Sequence, residues 1–332
     1  MAAIGIIGTG TWGTAIAVLL NNSGHDVTLC SASGRDVEEL KRTRCQKNLP
    51  GVTLDSGIKV TDSLKAACGE KDLLVLAVPS VYIRQTAERI APFVRYGQVI
   101  VSAAKGIEEE SLLTMTGVIA QELPNAEVCA LSGPSHAEEV SRGIPTAVVV
   151  GAEDTEIAKT VQEAFFSDMF RVYTSDDVLG IELGGSLKNV IALAAGMVDG
   201  LGYGDNTKAA LMTRGIAEIS RLGVTMGGRE TTFYGLSGIG DLIVTCTSNH
   251  SRNHNAGYLI GQGMSYEDAM KEVGQVVEGV NCAKAALALG TKYGVSLPIV
   301  EEINDVLFHG ESVRDSLMDL LRRNPTEEYH KN

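Results

Sequence analysis

Two patterns of apolar and polar positions divide the chain. Up to about residue 175, short apolar runs recur at 4–7 (IGII), 26–29 (DVTL), 72–78 (DLLVLAV), 98–103 (QVIVSA), 126–131 (AEVCAL) and 146–150 (TAVVV), with a last one at 170–174 (FRVYT). Segments of helical period at 12–22, 62–68, 80–91, 111–122 and 154–166 separate them. Runs that are apolar throughout belong to strands covered on both faces, so the alternation predicts an α/β unit with a doubly wound, mostly parallel sheet. Beyond about residue 180 strand-like runs become rare. Amphipathic stretches at 181–198, 205–222, 252–262, 278–290 and 299–308 stand instead between glycine-containing breaks. This half reads as an all-α C-terminal domain, with Pro298 at a position where a first helical turn accepts proline. The expected division is 1–180 and 181–332. No low-complexity linker separates the two, so they are expected to share an interface, and the polar end RRNPTEEYHKN is expected to fray.

The first apolar run leads into Gly8-Thr9-Gly10-Thr11-Trp12-Gly13, a G-x-G-x-x-G turn. Alone the pattern is a weak signal. Its context strengthens it: a strand before, a helical stretch with Gly24 at its end, then a second strand, which is the entry of a Rossmann-type dinucleotide site. Gly8 permits the tight turn, Gly10 lets a diphosphate approach the backbone, and Gly13 lets the helix pack on the strand; the N–H groups of the first turn then face the phosphates. The second strand ends in Cys30-Ser31-Ala32-Ser33-Gly34-Arg35, with no acid before Asp36. An acid there would hold the ribose 2′-hydroxyl of NAD. Small polar residues with Arg35 leave room and charge for a 2′-phosphate, so NADP is favoured over NAD.

Charge and cysteine content narrow the class of protein. Of 332 residues, 28 are Lys or Arg and 41 Asp or Glu, a formal net charge of −13 that argues against nucleic acid or an anionic membrane as partner. The six cysteines (Cys30, Cys45, Cys68, Cys129, Cys246 and Cys282) lie far apart without a C-x-x-C pair, which fits reduced thiols in the cytoplasm. No apolar run is seen to approach the ~20 residues of a membrane span, and the start of the chain lacks the basic region of a signal peptide.

In the helical half, Lys188 follows Gly184-Gly185-Ser186-Leu187 among Ile181, Val190, Ile191, Ala194 and Val198 of an apolar face. A lysine there either reaches for solvent or does chemistry. The two glycines would admit another backbone or a ligand. Further on, Gly235, Gly238 and Gly240 precede Asp241, followed by Thr245 and Ser251-Arg252-Asn253, a composition suited to a cleft wall. Cys246, His250 and His254 recur every four residues, as zinc ligands on one helix would. The residues between them are substrate candidates and no fourth ligand is evident, so no metal is expected. Cys246 is read as a small buried hydrophobe rather than a nucleophile, and His136 as a residue that could line the site.

These segments, with VPS (78–80), AAKGIE (103–108), SGPSHAEE (132–139), TRG (213–215) and GQVVEG (274–279), resemble bacterial NAD(P)-dependent glycerol-3-phosphate dehydrogenase in matching order over nearly the whole length. The resemblance implies that Lys188 is the catalytic acid/base with Asp241 near it. It implies Lys105, Asn189, Thr245, Ser251, Arg252 and Asn253 around the substrate, with Gly133 and Ser135 in the loop facing it. On the cofactor side it implies Thr11, Trp12, Lys105, Ala137, Arg252, Val276 and Glu278. It also implies a homodimer, a small phosphate substrate and a role in glycerophospholipid synthesis. One departure concerns the cofactor: family members often carry a large basic or ring side chain where this chain has Ala32.

The residue types suit that reaction. Reducing the ketone of dihydroxyacetone phosphate needs a hydride and a proton; an ordinary lysine, pKa about 10.4, is protonated at pH 7, and Asp241 close by would raise it further. Arg252 offers a planar fork for phosphate oxygens. Two other readings stay open at this point. Arg252 and Lys105 could clamp a carboxylate, making a hydroxy-acid dehydrogenase, or the chain could sense a dinucleotide without catalysis.

Overall fold

The computed structural model describes residues 1–325, 327 and 328; position 326 and positions 329–332 of the polar end lie outside the described residues. Eight strands form one sheet: β1 (Ala3–Ile7), β2 (Asp26–Cys30), β3 (Lys59–Thr61), β4 (Leu73–Leu76), β5 (Val99–Ser102), β6 (Glu127–Ser132), β7 (Thr146–Gly151) and β8 (Phe170–Ser175). Their order is β3-β2-β1-β4-β5-β6-β7-β8. All pairs are parallel except β6–β7, where Leu131 faces Val150 in antiparallel register. Seven of the strands coincide with the apolar runs. The eighth, β3, is a three-residue edge strand, Lys-Val-Thr, with no apolar run to announce it.

Strand side chains alternate between two cores. Ile4, Ile6, Leu73 and Val75 pack with α1 (Thr11–Asn22), α6 (Ala137–Val140) and α7 (Thr155–Phe165) on one face. Ile7, Leu74 and Leu76 pack with α3 (Leu64–Cys68), α4 (Ile83–Ile90) and α5 (Met115–Glu122) on the other. The two-residue period of a strand thus feeds both layers. A short α2 (Val37–Thr43) follows β2.

The second half is helical: α8 (Val178–Gly200), α9 (Asp205–Thr225), α10 (Glu230–Phe233), α11 (Asp241–Thr247), α12 (Arg252–Gly261), α13 (Tyr266–Val273), α14 (Glu278–Tyr293), α15 (Pro298–Asn304) and α16 (Val313–Arg322). Pro298 opens α15 as expected. One expectation is corrected: α8 has 23 residues and is apolar enough, by length and composition, to cross a membrane. Its apolar window is 89% buried inside the protein, because α9, α11, α12 and α14 surround it and β6 covers its start. It is the central core helix.

Helices α8 and α12 cross with their backbones touching. A Cβ on Gly196 would stand 2.0 Å from the His254 carbonyl oxygen, and one on Gly257 2.0 Å from that of Leu193. Gly200 and Gly261 repeat the contact one turn on, each 2.3 Å from an opposing carbonyl. Any side chain must separate the helices. Gly257→Ala is therefore expected to destabilise the fold by about 1–3 kcal/mol, despite the better helix propensity of alanine, through overpacking. Thermal unfolding checks this; an unchanged or raised Tm contradicts the crossing.

Candidate functional site

The strand order reverses between β1 and β4, where the helices after the two strands leave on opposite faces, and ligands of open α/β sheets bind at the carboxyl ends of strands at such a point. A cleft of about 350 Å³ opens there. Gly10, Thr11 and Trp12 after β1, Val78 and Pro79 after β4, Lys105 after β5, and Ser135 and Ala137 after β6 form its sheet side. Lys188 and Asn189 of α8, Asp241 and Thr245 of α11, Ser251, Arg252 and Asn253 at the start of α12, and Val276 and Glu278 at the start of α14 close the helical side.

At the floor lies a buried ionic cluster. Asp241 Oδ1 accepts from Lys188 Nζ at 2.6 Å, and Asp241 Oδ2 accepts from Lys105 Nζ at 2.6 Å. Lys188 Nζ also donates to Thr245 Oγ1 at 2.6 Å, while that hydroxyl donates back to the Asp241 carbonyl at 2.6 Å. Lys105 Nζ is further held by the Gly133 carbonyl at 3.0 Å. Asp241 is 1% exposed and Lys188 5%, so one carboxylate faces two ammonium groups with little water between them. Burial pushes the Lys188 ammonium down to about 8; Asp241 pulls it back up, and Lys105 pushes the same way as burial. Burial also raises the Asp241 carboxyl, but the two ammonium groups outweigh it and hold the acid below its ordinary value. The expectation that Lys188 sits at or above an ordinary lysine value is thus overturned. Desolvation in the core outweighs the ion pair.

A second chain of hydrogen bonds links three helices. Asn253 Nδ2 donates to Asn189 Oδ1 at 3.0 Å, and the Gly279 N–H donates to Asn253 Oδ1 at 2.8 Å. Ser251 caps α12, its hydroxyl accepting from the His254 N–H at 3.2 Å. Arg252 beside it lines the cleft, its guanidinium hydrogen-bonded to no protein group among the described residues. The Glu278 carboxylate is occupied by Ser80, accepting from its N–H at 3.0 Å and from its hydroxyl.

Of the residues given a catalytic, substrate or cofactor role from the sequence, four do not line the cleft. Gly8 and Gly13 shape the turn behind it: Gly8 has φ +127°, and a Cβ on Gly13 would stand 2.0 Å from the Gly8 carbonyl oxygen. Gly133 contributes its carbonyl to Lys105 from below, and Arg35 is exposed on the turn after β2. Gly184 and Gly185 admit protein, with the Ser237 carbonyl oxygen 2.8 Å and Ser132 Oγ 2.5 Å from their Cβ positions. Cys246, His250 and His254 do not share a helix, since α11 ends at Thr247 and α12 starts at Arg252. Cleft-lining residues that sequence reasoning missed include Gln46, Asn48, Glu138, His250 and Gln275. Gln46 donates to the Thr9 carbonyl at 3.2 Å from an irregular stretch that no periodicity marks. His136 does line the cleft, its ring 6.0 Å from that of His250, and burial and the Lys188 charge hold it below the usual histidine value.

The cleft can orient an anionic substrate against a buried proton donor. Residues 3–158 match the NAD-dependent glycerol-3-phosphate dehydrogenase N-terminus and residues 177–318 the C-terminus of the same family. A glycerol-3-phosphate dehydrogenase (NAD(P)+) of Agathobacter rectalis is 56% identical over 324 residues, 97% of this chain and 96% of that protein. One from Bacillus subtilis is 46% identical over 332 residues, 99% of this chain and 96% of that one. The crystal structure of glycerol-3-phosphate dehydrogenase from Coxiella burnetii superposes with a TM-score of 0.94 at 34% identity, covering 97% of this chain and 99% of that chain. On sequence and structure alike, the chain belongs to the NAD-dependent glycerol-3-phosphate dehydrogenase family of oxidoreductases.

Proposed function

We propose that this enzyme transfers hydride from NAD(P)H to dihydroxyacetone phosphate, giving sn-glycerol 3-phosphate for glycerophospholipid synthesis, as a cytoplasmic homodimer. Residues 1–180 are the dinucleotide-binding part and residues 181–332 the helical substrate-binding and catalytic part. The observation that carries the reading is the Lys188–Asp241–Lys105 cluster at the floor of the cleft where the sheet and helical halves meet.

The residues at the head of α1 fit a dinucleotide. Gly10 stands at the N-cap without a side-chain hydrogen bond, and a Cβ added to it would meet nothing within 4 Å, so the turn opens onto the cleft. Exposed first-turn N–H groups and the positive end of a helix favour a diphosphate there. Thr11, Trp12, Ala137, Val276 and Glu278 border the same space. When bound, the nicotinamide supplies the hydride for reduction or accepts it for oxidation. NADP is preferred over NAD, because the turn from Ser31 to Arg35 offers the exposed Ser33 hydroxyl and a cation but no acid.

Lys188 donates the proton to the ketone oxygen as the carbon receives hydride, and regains one from solvent afterwards. Its positive charge steadies the developing alkoxide before the proton moves. Asp241 positions Lys188 and Thr245, while Lys105, held by the Gly133 carbonyl, adds a second cation. The cluster carries two ammonium groups and one carboxylate, so a net charge of +1 remains for an anionic substrate. Arg252 takes the phosphate through its planar fork, and Ser135, Asn189, Thr245, Ser251 and Asn253 surround the hydroxyls and the phosphate.

Lys188→Ala is expected to lower kcat by at least ~10²-fold while cofactor still binds, since Asp241 keeps Lys105 as partner. Unchanged turnover would show that Lys188 is not the acid. The pH profile follows from the lowered lysine value. Above about pH 8 Lys188 loses its proton, so kcat/KM for ketone reduction falls while that for glycerol 3-phosphate oxidation rises. A reductive profile flat to pH 10 points to another acid. Arg252→Ala is expected to raise KM for the phosphate substrate about 10- to 100-fold with little change in Tm, the range of a lost charge-assisted hydrogen bond. Unchanged KM and kcat would remove Arg252 from the phosphate site.

A further inference from the structure

The turn after β2 is largely occupied with itself. Ser31 is buried; its N–H donates to the Thr61 carbonyl at 3.0 Å and its hydroxyl to the Arg35 carbonyl at 3.0 Å. Ser33 Oγ accepts from the Arg35 N–H at 3.2 Å, and Ala32 has no polar side-chain atom. Of the side chains expected to meet the adenosine ribose, the exposed Ser33 hydroxyl and the Arg35 guanidinium keep their donors for a ligand among the described residues, and of the two only Arg35 is a cation.

A second cation reaches the same strand end from a different element. Arg89, in the last turn of α4, donates from Nη1 to the Ala32 carbonyl at 2.6 Å. A guanidinium has five N–H donors in a rigid plane. One bond to a backbone carbonyl fixes that plane and leaves the other donors and the whole charge unspent, because no carboxylate pairs with Arg89 among the described residues. Burial pushes the Cys30 thiol at the tip of β2 up to about 11; of the charges that act on it, Asp62, just after β3, raises it further and Arg89 lowers it. Arg35, on the turn, and Arg89, on α4, bring two cations to the strand end.

We propose that Arg89 is a specificity-determining residue for the cofactor, its guanidinium docked on the Ala32 carbonyl and binding the 2′-phosphate of NADP from the α4 side while Arg35 meets it from the turn. The assignment rests on the reading above that the adenosine ribose lies at the end of β2. It adds a residue outside the turn.

The test compares kcat/KM for NADPH and for NADH in the full-length wild type, Arg89→Ala and Arg89→Lys, with the Kd of each nucleotide measured by fluorescence titration. Arg89 is exposed, and Tm confirms that the variants fold. In Arg89→Ala the NADPH-to-NADH ratio of kcat/KM is expected to fall about tenfold or more, through KM and Kd and not through kcat, with partial recovery in Arg89→Lys. A ratio that Arg89→Ala leaves unmoved overturns the assignment, whatever the wild type prefers. A wild type that favours NADH overturns the preference for NADP proposed above. The role of Arg89 is then still decided by whether its removal weakens NADPH more than NADH.

Discussion

Everything in the second half is arranged around a 23-residue helix with no free side. Because α8 is enclosed by four helices and the end of the sheet, each of its faces must offer its neighbour either a complementary apolar surface or no side chain at all. The latter solution governs the crossing with α12. Glycines on both helices bring carbonyl oxygens to within about 2 Å of where a Cβ would stand, and this contact fixes α12 so that Asn253 reaches Asn189. The same enclosure dictates the treatment of the polar residues on α8. Glu182 is buried, accepting from the Thr116 N–H at 2.9 Å and from the Thr116 hydroxyl, which ties α8 to α5 of the sheet unit. Lys188 is buried on Asp241 and Thr245. A charge on such a helix is tolerated only with partners in place, so the geometry proposed for catalysis and the packing are one constraint.

That constraint also sets the acid strength at the site. In water a lysine is a poor proton donor at neutral pH because it holds its proton too firmly; a donor is most effective when its pKa lies near the working pH. Enclosure in α8 brings Lys188 to about 8, and the carboxylate that would reverse this is divided between two ammonium groups. Lys105 thus has two effects on its neighbour. It draws on the shared carboxylate, and it repels the second positive charge. The chain as a whole carries −13, yet its cleft floor is cationic, which keeps the attraction for anionic ligands local.

Legibility in the sequence followed the source of each feature. Strands buried on both faces appear as uninterrupted apolar runs, so seven could be located; β3, an edge strand of three residues with partly exposed side chains, could not. Helices α13 and α16 were overlooked although each begins with a serine that caps it, Ser265 and Ser312. Each buries only one residue, Ala269 and Ser316, so the apolar stripe that marks a packed helix is thin. At the site, the glycine turn, Lys188, Asp241 and the Arg252-Asn253 pair stand out by residue type and neighbours. Gln46 and Asn48 do not, because they reach the cleft from irregular backbone. The lowered pKa of Lys188 was illegible for a deeper reason. It depends on how completely four other helices exclude water, and no local pattern encodes that.

The two ends of the proposed cofactor region therefore operate in different electrostatic regimes. Around Lys188 the groups are enclosed, charges interact through a medium of low effective dielectric, and added salt changes little. At the end of β2 the arginines are exposed, and at physiological ionic strength their field is screened over about 8 Å. Charge alone gives little discrimination at such a surface. Selectivity between a hydroxyl and a phosphate must come from direct, oriented hydrogen bonds. The backbone carbonyl that holds Arg89 supplies that orientation without neutralising its charge, which an acidic partner would have done.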